Sequence, residues 1–162
     1  AGNLPYNVGT AIVRHFLEAE KPPERLVVML QKEVAEAMAA PQGSLGLLGV
    51  SVQAYAKVRK LFNVPPRAFY PPPRVTSAVL RLDLLQRPVV PLDERERFFR
   101  VVRAGFSAPR KQLRNTLAQG LGLPAAEVAA VIEAEGLRSE LRPQQLRVED
   151  WLRLSRRLGP LS

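Results

Sequence analysis

Asn3, Leu4, Pro5 and Tyr6 follow one another near the start of the chain, and their types suit one kind of chemistry. An aromatic amine such as adenine N6 is a poor nucleophile, because its lone pair is delocalised into the ring. Two oxygens accepting its two N–H bonds would hold the nitrogen in place. They would also favour the pyramidal form whose lone pair points at an incoming methyl group. The side-chain oxygen of Asn3 and a backbone oxygen, that of Leu4, could accept those bonds. Pro5 stiffens the turn through its fixed φ, and Tyr6 offers a face for the flat ring. Orientation and stabilisation of developing positive charge would do the work, with no strong base and no metal. The same string is also an ordinary strand-to-helix turn, so alone it is only suggestive.

Two further stretches could serve that corner. Phe69-Tyr70-Pro71-Pro72-Pro73-Arg74-Val75-Thr76-Ser77-Ala78-Val79 begins with an extended loop, since its prolines fix φ and remove backbone donors. Such a loop can present an aromatic ring at a fixed height, as the opposite wall of a slot for a flipped base. Phe69 is the candidate and Tyr70 the competitor; both rings could instead cover core. The other stretch runs from Phe106 to Asn115 and brings Arg110, Lys111 and Arg114 onto little more than one helical turn. With Arg97, Arg100 and Arg103, which recur every three residues, they form either a phosphate-contacting surface or a solvated basic face. Lys57, Arg59 and Lys60 are expected to face solvent or RNA, and His15 to be structural or superficial.

The totals restrict the chemistry. Without cysteine there is no disulfide, thiolate metal site or Cys nucleophile. A single histidine argues against a His metal cluster or a Ser-His-Asp triad. No run of about 18 apolar residues is present to span a membrane, and no basic, then apolar, leader opens the chain. The 24 basic and 15 acidic residues give a net charge of +9, with a pI near 10.8. That balance favours a polyanionic partner, either nucleic acid or an anionic surface. Most of the cations are arginine, which grips phosphate bidentately and stacks on bases.

A chain of 162 residues suffices for one domain or two small ones. The spacing of Ile12, Phe16 and Ala19 predicts a helix over 8–20, with Val13 and Leu17 beside that face. Residues 25–31 read as a strand buried on both faces. A helix over 32–40 and another from an N-cap at Ser44 to about Ala54 follow. Strands are expected near 56–63 and 75–84. Beyond the proline-bearing linker at 86–92, only helical patterns remain: 93–106, 110–119, 124–135 and 148–158. Ser107 or Ala108 would cap the second of these, with Pro109 in its first turn. The division expected is therefore 1–87, mixed α/β, and 88–162, a small all-helical domain. With only three strands and no G-x-G-x-x-G turn, the first part looks like the back half of a sheet domain.

In this order the motifs resemble those of the ribosomal RNA adenine dimethyltransferases of the KsgA type. The resemblance rests on Asn3-Leu4-Pro5-Tyr6-Asn7, Met29 to Ala35 (MLQKEVA), Phe62 to Pro66 (FNVPP), Phe69 to Leu82, and Phe106 to Asn115, and it runs essentially end to end. It implies an α/β fold, the C-terminal half of a Rossmann-like class I methyltransferase domain followed by a small all-α domain. It implies transfer of methyl groups from S-adenosylmethionine to N6 of two adjacent adenosines near the 3′ end of 16S rRNA, on a pre-ribosomal small subunit. Carried over residue by residue, Asn3 touches the cofactor side and the target amine, Leu4 offers its backbone oxygen, and Pro5 holds the turn. Tyr6 stacks on the adenine and Phe69 closes its other face. Arg74, Arg97, Arg100, Arg103, Arg110, Lys111 and Arg114 are the expected RNA contacts. A cytoplasmic monomer without a metal or a membrane is expected. The family's glycine-rich cofactor loop and its acidic nucleoside ligands precede the tetrapeptide, so this chain is expected to look like a fragment. By itself it is expected to bind S-adenosylmethionine weakly or not at all. A large-subunit rRNA methyltransferase of the macrolide-resistance type and a non-catalytic RNA-binding or assembly factor of the same descent are the alternatives. A DNA adenine methyltransferase fits less well, because Leu4 stands where those enzymes usually carry proline.

Overall fold

Apolar alternation and proline punctuation divide the chain into short strands and helices, which the computed structural model describes for residues 1–5 and 8–158. They form two compact units: 1–40 with 52–88, and 41–51 with 89–162. The excursion at 41–51 belongs with the second unit.

The first unit is built on a four-stranded sheet of β1 (Gly2–Asn3), β2 (Arg25–Gln31), β3 (Ala56–Val64) and β4 (Ser77–Leu84). Their order is β1-β2-β4-β3. β1 runs parallel to β2, whereas β4 runs antiparallel to both of its neighbours. β1, β2 and β3 therefore end at the same edge, and the segment before β4 arrives there too. Register places Leu26, Val28 and Leu30 beside Leu82, Leu80 and Ala78 on one face, and all six are buried. β2 was expected to be buried on both faces. Its other face, Val27, Met29 and Gln31, is only half-buried, because the covering helix lies on the Leu26 side.

That helix is α2 (Lys32–Met38), which packs on β2, β3 and β4 through the buried Ala35 and Met38. The Glu36 carboxylate accepts a 3.2 Å bond from Lys60 on β3. α1 (Gly9–Leu17) is shorter than the predicted 8–20, and its buried face is also displaced. Val13 and Leu17 are buried, while Phe16 is exposed beside His15. The displacement follows from Gly9, where a Cβ would lie 2.6 Å from Leu30 Cδ2. The missing side chain lets the start of α1 meet β2, and this contact turns Val13 and Leu17 inward.

The second unit is helical: α3 (Leu47–Gln53) starts in it, followed by α4 (Arg95–Gly105), α5 (Leu113–Leu121), α6 (Ala125–Ala134) and α7 (Val148–Leu158). α4 packs on α5 and α7, and α6 packs on the same two. Phe98, Val102, Leu113, Leu117, Ile132, Trp151 and Leu154 fill the core. Trp151 lies so near the end of α4 that a Cβ on Gly105 would stand 2.4 Å from its ring.

Two helix starts differ from expectation. Ser44 does not cap α3, which begins three residues later; its N–H closes a turn onto Pro41 O. Leu45, fully buried, donates its N–H to Gln144 O at 3.1 Å, which holds this stretch out of the helix. α5 begins at Leu113 rather than Arg110, so Ser107 and Ala108 do not cap it. The Ser107 hydroxyl turns back to Ala104 O at 2.8 Å, and Lys111 N–H closes a turn onto Ala108 O. Arg110 and Lys111 consequently lie on a turn, with only Arg114 on the helix.

Candidate active site

The short parallel pairing of β1 with β2 sets the corner. Gly2 pairs with Val28 and Asn3 with Met29, and Leu4 donates its N–H to Met29 O at 3.1 Å. The chain then turns at Pro5, whose carbonyl accepts the Val8 N–H at 3.3 Å. No backbone donor takes the Leu4 carbonyl among the described residues. Asn3 is exposed and Leu4 half-buried. Among the described residues, the two groups expected to receive an amine, the Asn3 side chain and the Leu4 oxygen beyond the last strand bond, have no hydrogen-bond partner. Tyr6 lies outside the described residues.

The opposite wall comes from the segment between β3 and β4. A single 3-10 turn at Pro66–Ala68 ends with Phe69 N–H on Pro66 O at 3.1 Å. Phe69 then leaves in extended conformation, with φ −118° and ψ 154°. Because the sheet order sets β4 beside β2, this segment reaches the carboxyl end of β1. Asn3, Leu4, Pro5, Phe69, Tyr70, Pro71 and Pro73 together line one cavity of about 440 Å³. The slot joins residues far apart in the chain on walls of opposite character, amide and carbonyl facing an aromatic ring and proline rings. A flat base carrying an exocyclic amine fits that chemistry. Of the two aromatic candidates, Phe69 is half-buried and can act as a wall. Tyr70 is 100% exposed. Neither ring is buried as core.

The basic residues are distributed between the units. Arg74 is exposed in the loop that carries Phe69. In the second unit, Arg100 and Arg103 are exposed on α4, Arg110 and Lys111 are exposed on the turn, and Arg114 is half-buried on α5. Arg97 differs: it is largely buried and lies 3.8 Å from Glu94. Glu94 also accepts 2.7 and 3.0 Å bonds from Arg156 on α7. Those bonds, with the charges of Arg156 and Arg97, hold the Glu94 carboxyl below its ordinary range against the opposing effect of burial. Arg97 thus belongs to an internal clamp more than to the exposed stripe. Pro71 and Pro73 are slot residues that motif reading did not single out as such. A second cavity, lined by Gln31, Lys32, Glu33, Val75 and Thr76, was also missed. Its one sequence signal is the run of polar residues directly after β2. Among the described residues, no group of acidic and histidine side chains could hold a metal ion, and no helix is long and apolar enough to cross a membrane.

Slots at the carboxyl ends of strands are where α/β folds receive their ligands, and the sheet and slot here define a fold of the Rossmann-like methyltransferase class. More narrowly, residues 1–159 match the model of the ribosomal RNA adenine dimethylase family, and the chain belongs to that family. It is 44% identical over 149 residues to the ribosomal RNA small subunit methyltransferase A of Dehalococcoides mccartyi, covering 92% of this chain and 51% of that protein. The protein of the same name from Xanthomonas campestris is 46% identical over 156 residues, covering 95% and 57%. The chain spans about half the length of the curated relatives it matches. Among solved structures, the 23S rRNA methyltransferase ErmE superimposes with a TM-score of 0.72 at 28% identity, over 98% of this chain and 64% of that one. A dimethyladenosine transferase from Plasmodium falciparum gives 0.80 over 94% and 63%; at 24% identity it speaks for the fold alone.

Proposed function

We propose that this chain is the target-side part of an S-adenosylmethionine-dependent enzyme that dimethylates N6 of two adjacent adenosines near the 3′ end of 16S rRNA, on the small ribosomal subunit. The observation that carries the reading is the slot itself, with Asn3 and Leu4 opposite Phe69. A flipped adenine would lie between Phe69 and Tyr6. In the first transfer its amino group would donate one N–H to the Asn3 side-chain oxygen and one to the Leu4 carbonyl; in the second, the single remaining N–H would keep one of these bonds, and each transfer releases one proton from nitrogen to solvent. These bonds strengthen as the nitrogen becomes pyramidal and gains positive charge, so they favour the transition state over the ground state. Phe69 and the prolines would cover one face of the ring.

S-adenosylmethionine supplies the methyl group. Among the described residues, the slot lining contains no carboxylate and no glycine. It fits the methyl-receiving side of the reaction, with Asn3 as the residue proposed to touch the cofactor, and lacks the groups that would hold the cofactor's own nucleoside. The cofactor's nucleoside is assigned to other parts of a longer protein. The names of the relatives that are 44–46% identical support the small-subunit target. The likeness to ErmE keeps a large-subunit target as the second reading. A monomeric protein acting in the cytoplasm completes the proposal.

The test is primer extension across both rRNA sites in a strain lacking the gene and complemented with the full-length protein. Stops near the small-subunit 3′ end support the proposal; stops on the large-subunit RNA alone would overturn it. In the full-length protein, Asn3→Ala is expected to lower methylation by about 10²–10³-fold while leaving particle binding nearly intact. Loss of both together would give Asn3 a structural role.

A further inference from the structure

Tyr70 sits at the mouth of the slot and is left over once Phe69 has been assigned to the wall. Its residue contributes to the cavity lining, yet the side chain is 100% exposed. A lone exposed hydrophobic residue needs no explanation, but this one has an unusual setting. Pro71, Pro72 and Pro73 follow it and hold the backbone of the loop in a narrow range of φ. The ring is therefore offered from a stiff support, so little backbone entropy would be lost when something stacks on it.

The charge around it identifies what could stack. Between Glu36 and Asp83 the sequence contains no carboxylate and six cations: Lys57, Arg59, Lys60, Arg67, Arg74 and Arg81. Lys60 is paired with Glu36 and Arg81 with Asp83, the two acids that bound the stretch. Among the described residues, Lys57, Arg59, Arg67 and Arg74 form no ion pair, and all four are exposed. Arg67 and Arg74 lie three residues before and four after Tyr70. An exposed aromatic ring between unpaired arginines on a rigid loop is the combination that binds unpaired nucleic acid, with phosphates on the cations and a base on the ring. A protein chain rich in carboxylates would meet the cations but would leave the ring without a planar partner.

We infer that Tyr70 is a stacking platform for the base adjoining the target nucleotide in an unpaired RNA strand. The neighbouring base rests on Tyr70 at the lip while the target occupies the slot against Phe69. Tyr70 is thus a positioning residue: it replaces the stacking that the neighbour loses when the target is extruded. The inference rests on the functional reading above and adds a second contact beside that site.

The test uses the full-length protein and small ribosomal subunits reconstituted with rRNA carrying 2-aminopurine next to the methylated adenosine. Fluorescence quenching on binding reports stacking of that base, and methyl transfer is followed in parallel. Wild type and Tyr70→Phe are expected to quench and methylate alike. Tyr70→Ala is expected to lose the quench and raise KM about tenfold, with a smaller change in kcat. Its exposure makes misfolding an unsuitable explanation, and Tyr70→Phe controls for loss of the hydroxyl. Retained quenching in Tyr70→Ala, or a loss confined to kcat, would overturn the inference while the functional reading stands. Wild-type protein that neither binds nor methylates these subunits would overturn that reading, and this inference with it.

Discussion

Asn3 and Phe69 are 66 positions apart in a sequence that gives no direct sign of their meeting. What each residue could do was legible from its type and neighbours: an amide before a proline, and an aromatic before three prolines. Their convergence on one cavity depends on the β1-β2-β4-β3 order, which local patterns do not contain. The choice between Phe69 and Tyr70 was also beyond the sequence. Adjacent residues on an extended backbone point in opposite directions, and only burial shows which ring lines the wall. That distinction has a kinetic consequence. Phe69→Ala in the full-length protein would remove the face against which the target ring is proposed to be held. It is expected to lower kcat/KM for methyl transfer by about 10–100-fold, from a stacking contribution of ~1–3 kcal/mol. Phe69→Tyr, which keeps the face, should stay within a few-fold of wild type. Steady-state methylation of small subunits measures both, and an unchanged Phe69→Ala would remove the wall from the slot.

Helices and strands were easier to locate than to bound. β2, β4, α6 and α7 lie close to their expected ranges, because apolar spacing continues through each and ends at a recognisable break. β1 was not assigned as a strand; two residues have no periodicity, and the pairing with β2 alone makes them one. The start of α5 was misplaced because Pro109 imitates a first-turn proline, whereas Leu113 N–H is taken at 2.7 Å by Leu141 O, a partner distant in sequence. The consequence for RNA binding is that Arg110 and Lys111 project from a turn, followed by Arg114 on the first turn of α5. Replacing all three with Gln is expected to reduce the slope of log affinity against log salt by about 2 for single-stranded RNA. Filter binding at several salt concentrations reads the slope, and an unchanged value would mean that these cations are merely solvated. Glu94, which joins α4 to α7 through Arg156, has a different consequence. A carboxyl held below its ordinary range stabilises the fold above its unfolded pKa, about 4.3. That contribution is lost as pH falls through the lower folded value. The melting temperature of the second unit should therefore decline below about pH 4.5, and Glu94→Gln should flatten that decline. The pair is partly exposed, so its contribution is under ~1 kcal/mol and weakens with salt. Trp151, the single tryptophan and fully buried in this unit, reports the melt without interference from the first.

At the scale of the whole molecule, strands give way to helices near residue 88, a change of period as well as composition. The membership of 41–51 could not be read in the same way. Leu45 is held by Gln144, and Val148 N–H donates to the Gln42 side chain at 3.2 Å, across 106 positions. Nothing local distinguishes such a segment from its neighbours. The same scale governs the cofactor. A sheet of this class binds a nucleoside through a glycine-rich turn after a strand and an acidic residue further on. Here β2 is followed directly by Lys32, β3 by Pro65 and Pro66, and β4 by Leu85, so none is followed by such a turn. Among the described residues lining the slot, Asn3 is the one proposed to meet S-adenosylmethionine. One hydrogen-bonding corner cannot offset the loss of translational and rotational freedom on binding, estimated at 4 kcal/mol or more. Calorimetric titration of the 162-residue chain with S-adenosylmethionine is therefore expected to give no saturation up to about 1 mM, whereas the full-length protein should saturate at micromolar concentrations. A micromolar constant for the isolated chain would require a nucleoside site among its own residues, and would overturn the assignment of cofactor and target to different parts of the longer protein.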